Sequence, residues 1–261
     1  RVPLQLQEEW DNSGLIIGFE DRQVSRVLTC LEINMEVVDE AIAMGAEMII
    51  SHHPLIFGSI SSLNANTPKG AVIIRLIRHG ISVYSCHTPF DKVNGGNNDA
   101  LAGILDLRDI TDLAGDPVKK PADMLAAPSE MHIGRIGRLH KTLKFSQVID
   151  MVCENLGIPI SQISAVGHMD AEISRIGICT GAGSEFIEVA AGQGCEAFIT
   201  GDVKYHQAQD AREIGMCVID AGHFGTEKIF AAVMQLQMEK LVPGSVEFVA
   251  SEVNLDPFEV L

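Results

Sequence analysis

Residues 26–51 read RVLTCLEINMEVVDEAIAMGAEMIIS, and residues 175–200 read RIGICTGAGSEFIEVAAGQGCEAFIT. The two stretches align at a constant offset of 149 residues without a gap, and seven of their positions are identical. Each has an apolar run, a segment with helical spacing and a second apolar run. Short runs that are apolar throughout are typical of parallel strands covered on both faces. We therefore interpret each stretch as a strand–helix–strand unit that is repeated in the chain.

A second pair of similar segments extends the repeat. HGISVYSCHTPFD begins at His79 and IGMCVIDAGHFGTE begins at Ile214, which is an offset of 135 residues. Alternation of strands with helices predicts an α/β fold of two similar lobes whose sheets are mostly parallel. A long helix is expected over 226–241. Strands are predicted over 27–31, 48–51, 81–84, 176–179, 197–199, 217–219 and 246–251.

The segment over 106–130 is the expected boundary, since it contains three prolines and has little periodicity. We expect one α/β lobe over 1–125 and a second over 126–261. The C-terminal segment is a candidate to pack on the first lobe.

Composition excludes several functional classes. The 261 residues include 35 acidic and 19 basic side chains, for a formal net charge of −16. Non-specific binding to nucleic acid or to anionic membranes requires a basic surface, so we expect no extended nucleic-acid surface. No apolar run approaches the roughly 20 residues of a membrane helix, and the first residues do not resemble a secretory leader. Six cysteines without a CxxC pair indicate buried thiols in a reducing compartment, which favours a cytoplasmic protein.

Histidine and carboxylate side chains follow the ends of the predicted strands, where α/β sheets bind ligands. His223 and Glu227 are spaced i, i+4, so one helix face can present both to the same centre. The candidate metal ligands are three imidazoles and two carboxylates: His52, His53, His223, Asp91 and Glu227.

This ligand set predicts the kind of metal. Mixed imidazole and carboxylate ligands suit a transition ion such as Zn, Fe, Mn or Ni better than Ca or Mg. Five protein ligands are too many for one hydrolytic zinc that keeps a water position, but they fit two ions about 3.5–4 Å apart. Asp91 is the predicted bridge. Such a centre activates water and needs no serine nucleophile, and no GxSxG motif occurs in the chain.

Other residues have two interpretations each. His206 and His87 are candidate catalytic proton carriers, or residues that support the ligands. Asp11 either reaches the site or shapes its loop. Residues 181–184, GAGS, form either a phosphate cradle or an ordinary turn. The basic positions of 135–144 form either a solvated face or a phosphate-binding patch.

Six motifs occur in the order of a known family. They are WDNSGL over 10–15, SHHPLIF over 51–57, HTPFD over 87–91, GRIG over 134–137, GDVKYH over 201–206 and DAGHFGTE over 220–227. In this order they resemble the NIF-three-like family, whose members commonly carry the name GTP cyclohydrolase 1 type 2. The resemblance spans Trp10 to about Phe248 and is to the short form without a domain inserted between the lobes. HTPFD stands where the family often has HTNLD, so the aspartate is kept and Pro89 stiffens the approach to it.

The resemblance implies two similar lobes with two divalent metal ions between them and assembly into a homohexamer. The family's metal-binding positions correspond to His52, His53, Asp91, His223 and Glu227. It also implies a hydrolase that acts on a small, nucleotide-like substrate, with GTP cyclohydrolase activity as one such reaction. Two alternatives stay open: a two-metal phosphoesterase or amidase, and a non-enzymatic oligomeric metal-binding or adaptor protein.

Overall fold

The computed structural model describes residues 2–19, 21–113 and 132–259. The chain divides into two compact units. The first unit comprises Arg1–Phe90 and Ile229–Asp256, and the second comprises Asp91–Lys228 and Pro257–Leu261. The predicted boundary between residues 125 and 126 lies outside the described residues.

Strands and helices alternate through much of the described chain. The strands are β1 (Gly14–Ile17), β2 (Arg26–Cys30), β3 (Met48–Ser51), β4 (Ser82–Ser85), β5 (Arg108–Asp112), β6 (Arg135–Lys144), β7 (Ser164–Val166), β8 (Glu172–Ile178), β9 (Ala197–Thr200), β10 (Cys217–Asp220) and β11 (Glu247–Ala250). The helices are α1 (Met35–Met44), α2 (Pro68–His79), α3 (Thr88–Lys92), α4 (Asn97–Ile104), α5 (Phe145–Leu156), α6 (Ile187–Gly192), α7 (Tyr205–Glu213), α8 (His223–Glu227) and α9 (Phe230–Leu241). Within the described ranges, no helix combines the length and apolarity required to cross a bilayer.

The first unit contains a five-stranded sheet in the order β1-β4-β3-β2-β11. Strands β4, β3, β2 and β11 pair in parallel, as the apolar runs predict. Strand β11 brings the C-terminal segment into this sheet beside β2. Strand β1 was not predicted. It pairs with β4 in the antiparallel direction, with Gly14 opposite Ser85, so the loop before β1 lies at the carboxyl end of β4.

Local signals explain the first helices. The Asn34 side chain accepts a hydrogen bond from the backbone N–H of Val37 and so caps α1. Gly45 ends α1 in the left-handed region at φ 71°, where glycine has no steric penalty. Helix α2 begins with Pro68 and ends at His79, before Gly80 in the left-handed region at φ 66°. Buried Leu28, Val37, Val38, Ile49 and Leu76 contribute to the core that these elements share.

The second unit contains a six-stranded sheet in the order β5-β6-β8-β9-β10-β7. Only β8–β9 and β9–β10 pair in parallel, whereas β5–β6, β6–β8 and β10–β7 are antiparallel. The expectation of mostly parallel sheets is therefore confirmed for the first sheet and wrong for this one. Many residues of β5, β6 and β7 are exposed, so these strands lack the continuous apolar run that identifies a parallel strand.

The helix expected over 226–241 is observed as α9, Phe230–Leu241, and the first two residues of the expected span belong to the separate helix α8. Helix α8 ends at Glu227 and α9 begins at Phe230. This break also divides the chain between the two units, since the second unit's segment ends at Lys228 and the first unit resumes at Ile229.

Candidate metal centre

Three imidazoles lie together in the first unit. His52 and His53 follow β3, and His87 follows β4, its parallel neighbour. Each ring offers a nitrogen atom, and the three nitrogens lie within 4.8 Å of one another. The Ser51 hydroxyl donates to the His53 carbonyl oxygen at 2.8 Å, so the backbone turns immediately after the strand. The adjacent His52 and His53 rings therefore lie side by side, with centroids 5.2 Å apart.

Hydrogen bonds select the tautomer of His52. Its Nδ1 lies 2.9 Å from the carbonyl oxygen of Cys86. A carbonyl oxygen only accepts, so Nδ1 carries the proton and Nε2 keeps the lone pair that a metal ligand needs. The ring is fully buried, which fixes this orientation.

Asp11 positions His87 from the loop before β1. The buried carboxylate accepts hydrogen bonds from His87 Nδ1 at 2.8 Å, Thr88 Oγ1 at 2.6 Å and Ser13 Oγ at 2.9 Å. Burial raises the pKa of the Asp11 carboxyl, but hydrogen bonds from His87 and Thr88 outweigh burial and hold that pKa well below its ordinary value. An ionised carboxylate on Nδ1 directs Nε2 of His87 toward ligand binding. Asp11 therefore contacts His87 and also shapes its own loop, where its carboxylate accepts from Ser13 Oγ and from the backbone N–H of Asn12.

The second unit holds an imidazole and two carboxylates. His223 and Glu227 lie one turn apart on α8, with Nε2 and Oε2 separated by 3.0 Å. A carboxylate oxygen of Asp91 lies within 4.8 Å of one of Glu227. Both carboxylates are buried, and Asn97 donates to Asp91 Oδ1 at 3.2 Å. Two buried carboxylates this close repel each other when ionised, and a bound cation removes that cost.

Asp202 supports His223 as Asp11 supports His87. Its Oδ2 accepts from His223 Nδ1 at 2.8 Å. Asp202 was not predicted as a site residue, although it follows strand β9 directly after Gly201. The strand-end argument that selected the histidines applies to it equally.

The glycine loop over 181–184 backs Glu227. A Cβ atom on Gly181 would lie 2.2 Å from Glu227 Oε1, and the residue has φ 67°, so only glycine fits. The N–H groups of Gly181 and Gly183 donate to Thr226 Oγ1 and Thr200 Oγ1, each at 2.9 Å. These two donors are engaged within the protein, and the phosphate cradle stays a prediction.

Two other predictions have different outcomes. His206 lies exposed in the first turn of α7, with its ring 5.4 Å from that of Tyr205. Its role as a proton carrier stays a prediction. Arg135, taken as part of a solvated or phosphate-binding stretch, is buried. Its guanidinium donates to Asp99 and to the carbonyl oxygens of four residues, His132, Gly134, Lys92 and Val93.

The donor set fits a transition metal. Within the described residues, histidine and carboxylate groups are positioned to hold a metal ion. Imidazole nitrogens with carboxylate oxygens are the ligands that Zn, Fe, Mn and Ni share, whereas Ca and Mg prefer oxygen alone.

The model of one protein family, Duf34/NIF3 (NGG1p interacting factor 3), matches residues 1–257. The chain belongs to the Duf34/NIF3 family. This confirms the resemblance that the six motifs carry.

Relatives in the Duf34/NIF3 family match the chain from end to end. A Clostridium perfringens protein named "GTP cyclohydrolase 1 type 2 homolog" is 35% identical over 262 residues, covering 100% of this chain and 95% of its own length. That alignment has no large insertion, consistent with the short form. The structure of a Bacillus cereus protein related to NIF3 matches with a TM-score of 0.89 and 26% identity, over 100% of this chain and 96% of its own. A Staphylococcus aureus hypothetical protein matches with the same TM-score of 0.89 and 30% identity, over 100% of this chain and 95% of its own.

Proposed function

We propose that this chain is a metal-dependent hydrolase that holds two divalent transition-metal ions and acts on a small, nucleotide-like substrate. The observation that carries the proposal is the group of His52, His53 and His87, whose ring nitrogens lie within 4.8 Å of one another. Relatives named "GTP cyclohydrolase 1 type 2 homolog" make GTP ring opening the first reaction to test.

The proposed ligands are His52, His53, Asp91, His223 and Glu227, and His87 is a further candidate. Two divalent ions, when bound by these residues, would activate water and polarise a substrate oxygen. The chain's own residues orient the ligands: Asp11 and Asp202 each accept a hydrogen bond from an imidazole Nδ1. His206 and His87 are the proposed candidates for a proton carrier.

Duplication of one ancestral unit is part of the same proposal. Strands β2 and β3 pair with Val27 opposite Met48, and β8 and β9 pair with Ile176 opposite Ala197, which is the same register at the offset of 149. The Glu47 carboxylate accepts from the N–H groups of residues 25 and 26, and the Glu196 carboxylate accepts from those of residues 174 and 175.

The proposal extends to assembly and location. Family membership supports the homohexamer. Free cysteines support a reducing, cytoplasmic location: all six are free, and all but Cys153 are buried.

Metal content is the first test. Elemental analysis of the purified protein is expected to give close to two transition ions per chain. His52→Ala and His87→Ala should each lower this number. The matched control is His79→Ala, because His79 is an exposed histidine of the same unit at the end of α2. Unchanged metal content in both cluster variants would refute the ligand assignment.

Turnover separates the proposal from its alternatives. Metal-replete protein is assayed for formate release from GTP and for cleavage of phosphodiester and peptide substrates. Formate release supports the cyclohydrolase reaction, and cleavage of another bond moves the assignment to a two-metal phosphoesterase or amidase. Bound metal without turnover on the whole panel favours the metal-binding or adaptor protein.

A further inference from the structure

Two large aromatic side chains of the first unit are exposed beside the three imidazoles. Trp10 is 59% exposed and Phe57 is 51% exposed. Their rings are stacked, with centroids 5.9 Å apart and planes 25° from parallel. Removing the apolar surface of tryptophan or phenylalanine from water is favourable. We call Trp10 and Phe57 the aromatic platform. A ligand that covers this surface is stabilised by its burial.

Hydrogen bonds of neighbouring polar residues connect the segments that carry the aromatic platform. Asn12 Nδ2 donates to the Ile56 carbonyl oxygen at 2.7 Å and so ties the Trp10 loop to the segment that carries Phe57. Asp11, next to Trp10, is fixed by the bonds to His87 and Thr88 described above. A binding surface that is already ordered loses little conformational entropy when a ligand arrives.

His87 connects the aromatic platform to the metal-binding imidazoles. Its ring meets Trp10 at 5.7 Å and Phe57 at 5.9 Å, both at 77°. The same ring lies 5.1 Å from His52 and 5.5 Å from His53. A flat ligand on the platform would therefore lie one imidazole away from the proposed metal ligands.

We infer that Trp10 and Phe57 form a stacking platform for a planar heteroaromatic ring of the substrate, such as a nucleobase. This rests on the proposed function and narrows its substrate class. Every nucleobase has a π-face, so an aromatic side chain binds the ring without selecting one base. Aliphatic peptides and simple sugar phosphates have no such face. The aromatic platform thus favours a nucleobase substrate over an amide or a sugar phosphate.

Trp10 is the one tryptophan of the chain, so its fluorescence reports the platform directly. Guanosine is titrated into metal-loaded protein while tryptophan emission is followed, and its affinity is measured in parallel by calorimetry. Saturable quenching is expected. Ribose 5-phosphate, which lacks the aromatic ring, is the matched probe and should neither quench nor bind comparably.

Variants test the two rings separately. Trp10→Ala and Phe57→Ala should each weaken guanosine binding by roughly 5- to 150-fold, the range of one lost stacking contact. Trp10→Phe should recover most of the affinity, because it restores a π-face. The control is Phe258→Ala, which removes an aromatic side chain that is 79% exposed outside the platform, and it should bind as the original chain does. Thermal unfolding verifies that every variant is folded.

Several outcomes would overturn the inference: no guanosine binding, equal binding of ribose 5-phosphate, or unchanged affinity in both folded alanine variants. A Trp10 emission that shifts with protein concentration and ignores guanosine would instead identify a contact between copies of the chain. Failure of the proposed function looks different. Platform-dependent guanosine binding without any hydrolysis leaves the platform standing, whereas hydrolysis that is insensitive to Trp10→Ala and Phe57→Ala removes the platform and leaves the hydrolase.

Discussion

Replacing Asp202 with glycine should weaken metal binding without disturbing the backbone. Asp202 has φ 55°, in the left-handed region where glycine is more comfortable than aspartate. The variant Asp202→Gly therefore removes the acceptor 2.8 Å from His223 Nδ1 and introduces no strain. Loss of a carboxylate that orients a ligating imidazole typically costs 10- to 100-fold in metal affinity. Because the Asp202 side chain is 55% exposed, we expect the lower end, about tenfold or 1.4 kcal/mol.

The assay is competition between the metal-free protein and a chelating dye for Zn²⁺. The matched control is Asp109→Gly, since Asp109 also has positive φ, 52°, and lies exposed on β5. It should bind zinc as the original chain does, while His223→Ala should lose far more than Asp202→Gly. Equal affinities for Asp202→Gly and Asp109→Gly would show that the Asp202 carboxylate does not tune His223. A loss as large as that of His223→Ala would make Asp202 a ligand itself.

Three further predictions concern stability and reactivity. Arg135→Met should lower the free energy of unfolding by about 3–5 kcal/mol, or Tm on the order of 10 °C, because it leaves buried hydrogen-bond acceptors without a donor. Arg138→Met is the control, since Arg138 is exposed on the same strand, and it should change Tm little. Backbone hydrogen bonds hold the pKa of Glu47 below its ordinary value of 4.5. The ionised Glu47 carboxylate therefore contributes fully to folding stability above pH 4.5, and this contribution is lost as the pH falls through the pKa of the folded state. In urea unfolding, Glu47→Gln should therefore be less stable than the original chain at neutral pH, and the difference should vanish in acid. Burial raises the pKa of Cys30 and Cys153, but Cys153 is half-buried, so mass spectrometry should find it alkylated by iodoacetamide before Cys30.

The sequence predicts best the strands that are covered on both faces of their sheet. Strands β3, β9 and β10 are short runs in which most residues are buried, and the predicted bounds differ from the observed ones by at most one residue. Because both faces of such a strand are buried, nearly all of its residues are apolar, and the sequence alone identifies it. The ends of these strands then locate the histidines, because ligand positions follow from the direction of a parallel sheet.

Strands at the margins of the sheets carry no comparable signal. Strand β6 mixes buried and exposed residues, and its buried Arg135 reads as a surface residue until its partners are known. The partners come from α3, α4 and the loop before β6, which no local spacing connects. The link from Asp11 to His87 is hidden for the same reason: it exists because β1 pairs with β4 across more than 60 residues of chain. Such pairings are decided by tertiary packing, which overrides local propensity.

Each unit contains a histidine whose Nδ1 contacts an aspartate, but the two aspartates come from different elements. This difference bears on the role of His87. After β4 stands His87, and after β10 stands His223, and in each ring Nδ1 lies 2.8 Å from an aspartate oxygen. The aspartates occupy unrelated places: Asp11 precedes β1, whereas Asp202 follows β9. If duplication alone had produced the pairs, both aspartates would occupy the same position in the repeat. An aspartate that accepts the Nδ1 proton suits a ligand and a proton carrier alike, because Nε2 stays free to bind a metal or to exchange a proton. The recurrence of the pair with different aspartates indicates that an imidazole with a free Nε2 is needed at both places, which fits the proposed ligand role of His223 and both the ligand and the proton-carrier predictions for His87.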